Sequence, residues 1–239
     1  MGIEKEERDG PSMFLYEMHC HTLPCSACGG IQPEELVRGM KAAGYAGMVL
    51  TDHFYHGNTG IRRNLPWADF AAAYEESYLR AKAVGDQIDF DVLFGLEEGI
   101  GNGREVLLYG LTPQFMYDHP ELRDCDLAHL SHIVRQAGGL IYQAHPFRVR
   151  EYIPRPWEAL PAEYFDGAEI YNACNPPLDN LRAVNWAKEN GLPAIAGSDR
   201  HYMGHCENFG IRVPHRIRTE AQLAEVLRSG EYELNIPGV

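Results

Sequence analysis

Two histidines spaced two residues apart, His19 and His21, end an apolar run that begins at Met13. In a β-strand successive side chains alternate between faces, so these two imidazoles point the same way. Neutral imidazole binds zinc, copper, iron or nickel, and a pair at one strand end supplies half of a metal site. Taken alone, the pair is explained equally well by two unrelated, partly exposed histidines.

The same arrangement recurs along the chain, where short apolar segments run into a residue that can bind a metal ion. After the first strand these residues are His53, Glu97, His145, Asp199 and His201. In parallel β/α proteins the carboxyl ends of the strands meet at one face, and the active site is assembled there from separate loops. Histidines that serve only the core or the surface would fall without regard to strand ends. The recurrence therefore predicts a multinuclear metal site.

Helices and strands are predicted to alternate between these positions. Helical spacing, caps and glycine stops predict helices over residues 33–44, 65–85, 126–138 and 179–190. Apolar runs predict strands over residues 46–50, 90–96, 105–109, 140–144, 168–171 and 193–196. The strand at 105–109 follows a hairpin-type Gly101-Asn102-Gly103 turn, and we expect it to carry no metal-binding side chain. The alternation predicts an α/β fold.

Length and charge limit the classes of protein that fit. A chain of 239 residues fits one α/β barrel or two small domains. The net charge of −13 argues against a sequence-independent grip on nucleic acid or an anionic membrane, although a local cationic site for a small phosphorylated ligand is compatible with it. Residues 1–9 lack the apolar core of a signal peptide and no run is long enough to cross a bilayer, so we expect a cytoplasmic location.

The six cysteines are too sparse for a disulfide framework, so reduced thiols are expected. Cys25 and Cys28 form a C-x-x-C, which on its own suits a redox pair or half of a zinc knuckle. No second C-x-x-C follows it. A functional role for the pair is therefore the less favoured interpretation.

Taken together and in order, the strand-end motifs resemble the PHP family, the polymerase and histidinol phosphatase superfamily of metal-dependent phosphoesterases. The motifs are His19-Cys20-His21, Thr51-Asp52-His53, Gly95-Leu96-Glu97, Ala144-His145-Pro146 and Gly197-Ser198-Asp199-Arg200-His201. They span most of the chain. The resemblance implies a distorted, TIM-like (β/α)7 barrel forming a single PHP domain over residues 1–239, with residues 1–11 as a flexible N-terminal extension.

The resemblance also implies a set of metal ligands for two or three divalent ions, which are zinc, manganese or iron. One ion is held by His19, His21, Glu97 and Asp199; Glu97 bridges to a second ion that His145 binds; His53 and His201 hold a third. The chain departs from the family pattern at two places. Cys25-Ser26-Ala27-Cys28 stands where many members have an Asp or His ligand, and the strand near residues 107–112 lacks a histidine that several members carry. Cys25, Ser26 or His119 could replace a missing ligand, so the number of ions stays open.

The implied activity is hydrolysis of a small phosphate ester, a phosphomonoester or a nucleotide, by a hydroxide that bridges the ions. Arg148, three residues after His145, can bind phosphate oxygens bidentately, or it makes a surface salt bridge instead. Asn172, at a strand end, is expected to orient substrate or water. The expected partner is a small phosphorylated substrate, with no nucleic-acid polymer and no membrane, and the oligomeric state is open.

Two other functions remain in competition with the phosphoesterase. An amidohydrolase-type metallohydrolase also combines an H-x-H strand with a barrel, but it normally needs a metal-bridging lysine, and no lysine follows a strand end here. A non-catalytic metal-binding regulatory module is the other alternative. Ligands at nearly every strand end argue against such a module.

Overall fold

The computed structural model describes residues 13–204 and 208–238, and it contains two five-stranded sheets flanked by helices. The strands are β1 Phe14–Glu17, β2 Gly47–Leu50, β3 Asp91–Phe94, β4 Leu96–Gly99, β5 Glu105–Tyr109, β6 Leu140–Gln143, β7 Gly167–Asn172, β8 Ala194–Gly197, β9 Gly210–Val213 and β10 Glu233–Asn235. The α-helices are α1 Pro33–Ala42, α2 Trp67–Gln87, α3 Gln114–Asp118, α4 Leu127–Gln136, α5 Pro177–Glu189 and α6 Glu220–Ser229, and short 3₁₀ turns cover Pro120–Asp124 and Ala162–Tyr164.

The strand order is β10-β9-β1-β2-β3 in one sheet and β4-β5-β6-β7-β8 in the other. Parallel pairs join β1, β2 and β3 and also β6, β7 and β8, whereas β4–β5, β5–β6, β1–β9 and β9–β10 are antiparallel. Two isolated parallel bridges link the two sheets just beyond the ends of β2 and β1. They pair His53 with Glu97 and Cys20 with Arg200.

The predicted α/β class is confirmed, but the predicted (β/α)7 barrel is not. Among residues 13–204 and 208–238 the strands form two sheets rather than one closed parallel ring. The physical reason lies partly at Gly101, Asn102 and Gly103, which all have positive φ and reverse the chain tightly. A tight reversal pairs β4 and β5 antiparallel, where a β/α unit would need a crossover helix.

The predicted helices follow from caps and apolar spacing. Asp126 caps α4 by accepting a hydrogen bond from the His129 backbone N–H at 2.8 Å, and Leu130, Ile133 and Val134 then face the core. Helix α3, strands β9 and β10 and helix α6 were not predicted from the sequence. Strand β9 extends the first sheet because it pairs with β1.

No helix in the described parts of the chain combines the length and apolar character that crossing a membrane requires. The predicted N-terminal extension, residues 1–11, lies outside the described residues. The single-domain organisation stays a prediction.

Candidate metal centre

The segments that follow β1 and β8 lie side by side, and this contact brings the first and last motifs together. The His21 backbone N–H donates to the Arg200 carbonyl at 2.8 Å, and the Arg200 N–H donates to the His19 carbonyl at 3.2 Å. Gly197 permits the approach, since a Cβ there would lie 2.6 Å from the His19 Cβ and 2.6 Å from a Glu169 carboxylate oxygen. His19 and His21 therefore face Asp199 across the junction.

The segment after β2 docks in the same way against β4. The Glu97 N–H donates to the Asp52 carbonyl at 3.0 Å and the Phe54 N–H donates to the Glu97 carbonyl at 2.7 Å, which places His53 beside Glu97. His145 and Asp199 both have positive φ, at 27° and 52°, a conformation that costs a non-glycine residue about 1–3 kcal/mol and tends to occur at functional sites.

The Glu97 carboxylate lies at the centre of the site. Its Oε1 is 3.2 Å from His19 Nε2 and 3.1 Å from His145 Nε2. Its Oε2 is 2.8 Å from His53 Nδ1 and 3.4 Å from His21 Nε2. One buried carboxylate thus faces four imidazoles that come from three separate motifs.

The Asp199 carboxylate adjoins this group. Its Oδ1 is 3.1 Å from His21 Nε2 and 3.5 Å from His19 Nε2. His201 stacks on His21 with ring centroids 4.5 Å apart. The structure therefore brings together all seven residues that the sequence assigned to metal binding: His19, His21, His53, Glu97, His145, Asp199 and His201.

The hydrogen bonds around the imidazoles suit metal ligands. His19 Nδ1 lies 2.9 Å from Glu169 Oε1, so Nε2 is turned toward Glu97 and Asp199. Ser26 Oγ lies 3.2 Å from His21 Nδ1 and donates to Asp52 at 2.6 Å, which turns His21 Nε2 inward. Three buried atoms of this cluster lie close to opposite charges but are not aligned for a hydrogen bond: His19 Nε2, His53 Nδ1 and Glu97 Oε2. Buried polar atoms are rarely left unpaired, and imidazole with carboxylate is a donor set that divalent ions accept, so these residues fit metal ions.

The charged groups of the cluster shift one another's pKa values. Burial alone would raise the pKa of Glu97, but His19 and His53 outweigh it and hold the pKa well below its usual range. Burial lowers the pKa of His21 to about 3, with the neighbouring His53 adding to the effect. Neutral His21 and ionised Glu97 are the forms that bind a metal.

Glu105, the first residue of β5, reaches into the site, so the expectation that this strand carries no metal-binding side chain is wrong. Its oxygens lie 3.4 Å from His53 Nδ1 and 3.4 Å from His145 Nε2. Burial and the nearby Glu97 raise the pKa of Glu105 to about 8. The antiparallel β4–β5 hairpin turns the start of β5, rather than its end, toward the metal-binding face.

Glu169 is a second residue that sequence reasoning missed. Besides His19, its carboxylate accepts from the His145 backbone N–H at 2.9 Å and from Asn172 Nδ2 at 3.0 Å. It lies inside strand β7, three residues before Asn172, so position at a strand end could not identify it.

Asn172 and Arg148, expected to contact substrate, are bonded inside the protein. Asn172 Nδ2 also lies 3.3 Å from Asp199 Oδ2, while its Oδ1 accepts from the Cys174 N–H at 2.9 Å. Arg148 donates to Asp199 through a short contact and to Asn172 Oδ1 at 3.3 Å. Arg148 thus makes a buried ion pair with Asp199. The sequence analysis had considered an ion pair at the surface instead. Asn172 holds carboxylates in place.

The three residues considered as replacement ligands lie in different surroundings. Cys25 is buried in the apolar core, and Ser26 Oγ is occupied by Asp52, His21 and the His53 N–H. His119 bonds Glu121 at 2.8 Å and packs on Phe115, and it belongs to none of the metal-type groups in the described residues.

Cys28, for which the C-x-x-C made a zinc-binding role the less favoured interpretation, lies at the edge of the site with its Sγ 3.1 Å from His201 Nε2. Burial raises the pKa of this thiol, but the neighbouring imidazoles of His201 and His53 outweigh that effect and lower it to about 6. Cys20, Cys25, Cys28 and Cys125 are free thiols, and Cys206 lies outside the described residues.

Comparisons with known proteins match the chain to one family model and to several solved structures. The family model, described as PHP-associated, matches residues 177–232. No curated protein matches the chain in sequence. A two-domain protein from Bacteroides vulgatus that contains a predicted PHP-like metal-dependent phosphoesterase superposes with a TM-score of 0.66 at 16% identity, over 95% of this chain and 66% of that one.

Two further structures extend the range of activities found with this fold. An amidohydrolase from Chromobacterium violaceum, solved with bound sulfate and no metal, superposes with a TM-score of 0.54 at 15% identity, over 93% of this chain and 98% of that one. Endonuclease Q, in complex with a 27-mer duplex that has an abasic lesion at the active site, superposes with a TM-score of 0.59 at 10% identity, over 93% of this chain and 58% of that one. At identities of 10–16% these structures show a likeness of fold. The PHP-associated family model over residues 177–232, together with the PHP-like structure, bears out the predicted resemblance to the PHP superfamily.

The expectation that no nucleic-acid polymer is bound is contradicted. A protein of the same fold holds duplex DNA at its active site. The net charge of −13, on which the expectation rested, is a property of the whole surface and does not describe one binding face.

Proposed function

We propose that this protein is a metal-dependent phosphoesterase whose active centre is the cluster around Glu97. The observation that carries the proposal is the convergence of five histidines with Glu97, Asp199 and Glu105, in which three buried polar atoms are not aligned for a hydrogen bond. Fold alone does not define an activity, so the proposal rests on the donor set and the fold provides its context.

The ligands divide into groups by their contacts. His19, His21, Glu97 and Asp199 form one group, and Glu97, Glu105 and His145 surround a second position. His53 and His201 border a third position next to His21. Two or three divalent ions fit this arrangement, with zinc, manganese and iron as the candidates because imidazole and carboxylate donors accept all of them.

When bound, paired divalent ions make water nucleophilic near neutral pH and neutralise phosphoryl oxygens. Glu169 fixes the orientation of His19 and the His145 backbone, and Asn172 fixes Glu169 and Asp199. Arg148 lines a cavity of about 290 Å³ at the cluster, together with Arg150 and Tyr152. A phosphate entering this cavity would meet the positive charge of the Arg148 guanidinium, which Asp199 and Asn172 hold in place.

An amidohydrolase activity is the second candidate, because one structure of the same fold carries that name. That chemistry commonly uses a lysine that bridges two ions. Among the residues that the structure describes, no lysine is buried. The absence of this group favours the phosphoesterase.

The test is hydrolysis by the metal-loaded protein of a panel of phosphomonoesters, phosphodiesters, nucleotides, and single-stranded and abasic duplex oligonucleotides. We expect release of product from at least one phosphoester with manganese or zinc, and its loss in His19→Ala and Asp199→Ala. The matched control is His119→Ala, which removes a histidine that lies outside the cluster. Activity on amides alone, or equal activity in all three variants, would contradict the proposal.

A further inference from the structure

The loop that carries Cys28 is held by backbone bonds to two segments that also carry metal-type histidines. On one side of Cys28, the Ala27 N–H donates to the Asn58 carbonyl at 2.8 Å, in the loop that follows His53. On the other side, the Gly30 N–H donates to the carbonyl of His201 itself at 2.9 Å. Ser26 adds a third link by accepting from the His53 N–H at 2.9 Å. The thiol is therefore fixed relative to both imidazoles.

Glycine at position 29 is required for this loop geometry. A Cβ on Gly29 would lie 2.8 Å from the Thr22 carbonyl carbon and 2.9 Å from its oxygen, so the chain could not fold back so closely. The Gly29 N–H also donates to the Ser26 carbonyl at 3.0 Å, which closes a tight turn around Cys28. The turn directs the half-buried Cys28 toward the site, whereas Cys25, three residues earlier, is buried in the apolar core.

The ring of His201 presents a lone pair to the thiol. His201 Nδ1 lies 2.8 Å from the Asp199 backbone carbonyl. A carbonyl oxygen only accepts, so Nδ1 carries the proton, and in the neutral ring Nε2 is left unprotonated. Nε2 is the atom that lies 3.1 Å from Cys28 Sγ. His53 lines the same cavity as Cys28 and His201, and one ring nitrogen each of His21, His53 and His201 lies within 4.8 Å of the others.

We propose that Cys28 is a metal ligand that completes, with His53 and His201, a separate ion position at the edge of the cluster. The inference rests on the proposed metal centre and adds to it the donor that the C-x-x-C motif provides. One thiolate and two imidazoles form a soft donor set that suits zinc or iron(II), whereas the position next to Glu97 and Glu105 has two carboxylates and suits a harder ion such as manganese. The cluster is thus chemically asymmetric.

The experiment is metal substitution with cobalt(II), read by absorption and by metal analysis. A cobalt ion bound by thiolate gives a charge-transfer band in the near ultraviolet, which imidazole and carboxylate ligands do not produce. We expect this band in the wild-type protein and its loss in Cys28→Ser, with cobalt content lower by one ion per chain. Retention of the band or of the full cobalt content in Cys28→Ser overturns the proposal.

Cys125→Ser serves as the matched control. It removes a thiol that bonds the Glu121 carbonyl at 3.3 Å and belongs to none of the metal-type groups of the described residues. The variant should keep the band and the cobalt content. Loss of the band in Cys125→Ser, with retention in Cys28→Ser, would overturn the proposal.

Alkylation of the wild-type protein provides a test that needs no variant to fold. With zinc bound, iodoacetamide should modify Cys28 at least tenfold more slowly than after chelation, as read by peptide mass spectrometry. The rate at Cys125 should not change. Equal rates at Cys28 with and without zinc contradict the proposal.

These readouts separate the inference from the proposed phosphoesterase. A protein that hydrolyses phosphoesters without a thiolate band keeps the proposed function and loses the role of Cys28. A protein that shows the band but hydrolyses no phosphoester keeps the role of Cys28 and loses the proposed function.

Discussion

The Glu97 carboxylate faces four imidazoles, and the adjacent Glu98 faces away from them because successive strand residues alternate. Glu98 instead accepts from the His56 N–H and lies 2.6 Å from His56 Nδ1. Two neighbouring buried glutamates therefore differ in surroundings but not in residue type, which makes them a matched pair for substitution.

For Glu97→Gln we expect at least roughly tenfold weaker metal binding, since the amide keeps the shape of the side chain but removes its charge. Glu98→Gln should bind metal as the wild-type protein does. Isothermal titration with zinc or manganese measures both. Equal affinities for the two variants would remove Glu97 from the centre of the site.

Glu105 gives a prediction for the pH dependence of stability in the metal-free protein. Its pKa of about 8 lies above the ordinary value of 4.5, so the folded state holds this proton more tightly than the unfolded chain does. The resulting stabilisation is complete below about pH 4.5 and is lost as the pH rises through about 8. Glu105→Gln should therefore lose less stability than the wild-type protein between pH 5 and 8.

Urea denaturation of chelator-treated protein across that pH range measures the effect. Glu231→Gln, at an exposed position, is the control and should follow the wild-type curve. Parallel curves for wild type and Glu105→Gln would show that Glu105 is not buried beside Glu97 as described.

At the scale of elements, the loop after β1 connects the first two motifs through one hydroxyl. Ser26 Oγ donates to Asp52 Oδ1 and accepts from the His53 N–H, and it also lies beside His21 Nδ1. In Ser26→Ala the buried Asp52 oxygen and the His53 N–H lose a partner. We expect a loss of about 1–3 kcal/mol in the free energy of unfolding.

Ser229→Ala is the control for this loop, because Ser229 is exposed and its described bonds go only to nearby backbone, the Val226 carbonyl at 3.1 Å and the Glu231 N–H at 3.3 Å. Its free energy of unfolding should change by no more than about 0.5 kcal/mol. Denaturant unfolding of both variants measures the difference, and similar losses would mean that Ser26 does not anchor the loop.

How far the sequence predicted the elements depended on whether the information was local. Apolar runs and caps predicted β2, β6, α2 and α4 close to their observed bounds, since period and capping act over a few residues. Strands β9 and β10 were missed: β9 is defined by pairing with β1, about two hundred residues away, and β10 by pairing with β9. The (β/α)7 barrel was expected from a family likeness and is not confirmed. The antiparallel pairing of β5 with β4 and β6 depends on the whole sheet, so local sequence patterns did not predict it.

The residues of the site also divide into those that local sequence patterns predicted and those that they did not. Strand-end positions identified His19, His53 and Asp199, because parallel strands bring their carboxyl ends together. Glu105 begins its strand and Cys28 lies in a folded loop, so neither fits that rule. Only tertiary contacts place them beside His53.

At the scale of the whole molecule, the cluster concentrates buried imidazoles and carboxylates where β1, β2, β4 and β8 meet. Ions that bind only the folded state stabilise it by mass action, by about 2.7 kcal/mol at a hundredfold excess over Kd. For a chain of this size such a gain raises Tm by about 5–10 °C. We expect chelation to lower Tm by this amount and added zinc or manganese to restore it, as measured by scanning calorimetry.

The variant Asp199→Ala serves as the control for that measurement. It removes a carboxylate that faces His19 and His21, so its Tm should respond less to chelation than that of the wild-type protein. An identical response in both proteins would place the stabilising ions elsewhere.

The most direct test of the central claim is the number of metal ions held by each chain, measured by elemental analysis of protein purified without chelator and dialysed against zinc or manganese. The convergence of strand ends on Glu97 predicts at least two ions per chain in the wild-type protein and a loss of at least one in Asp199→Ala. A wild-type protein that retains no ion, or an Asp199→Ala variant that retains the full number, would contradict it.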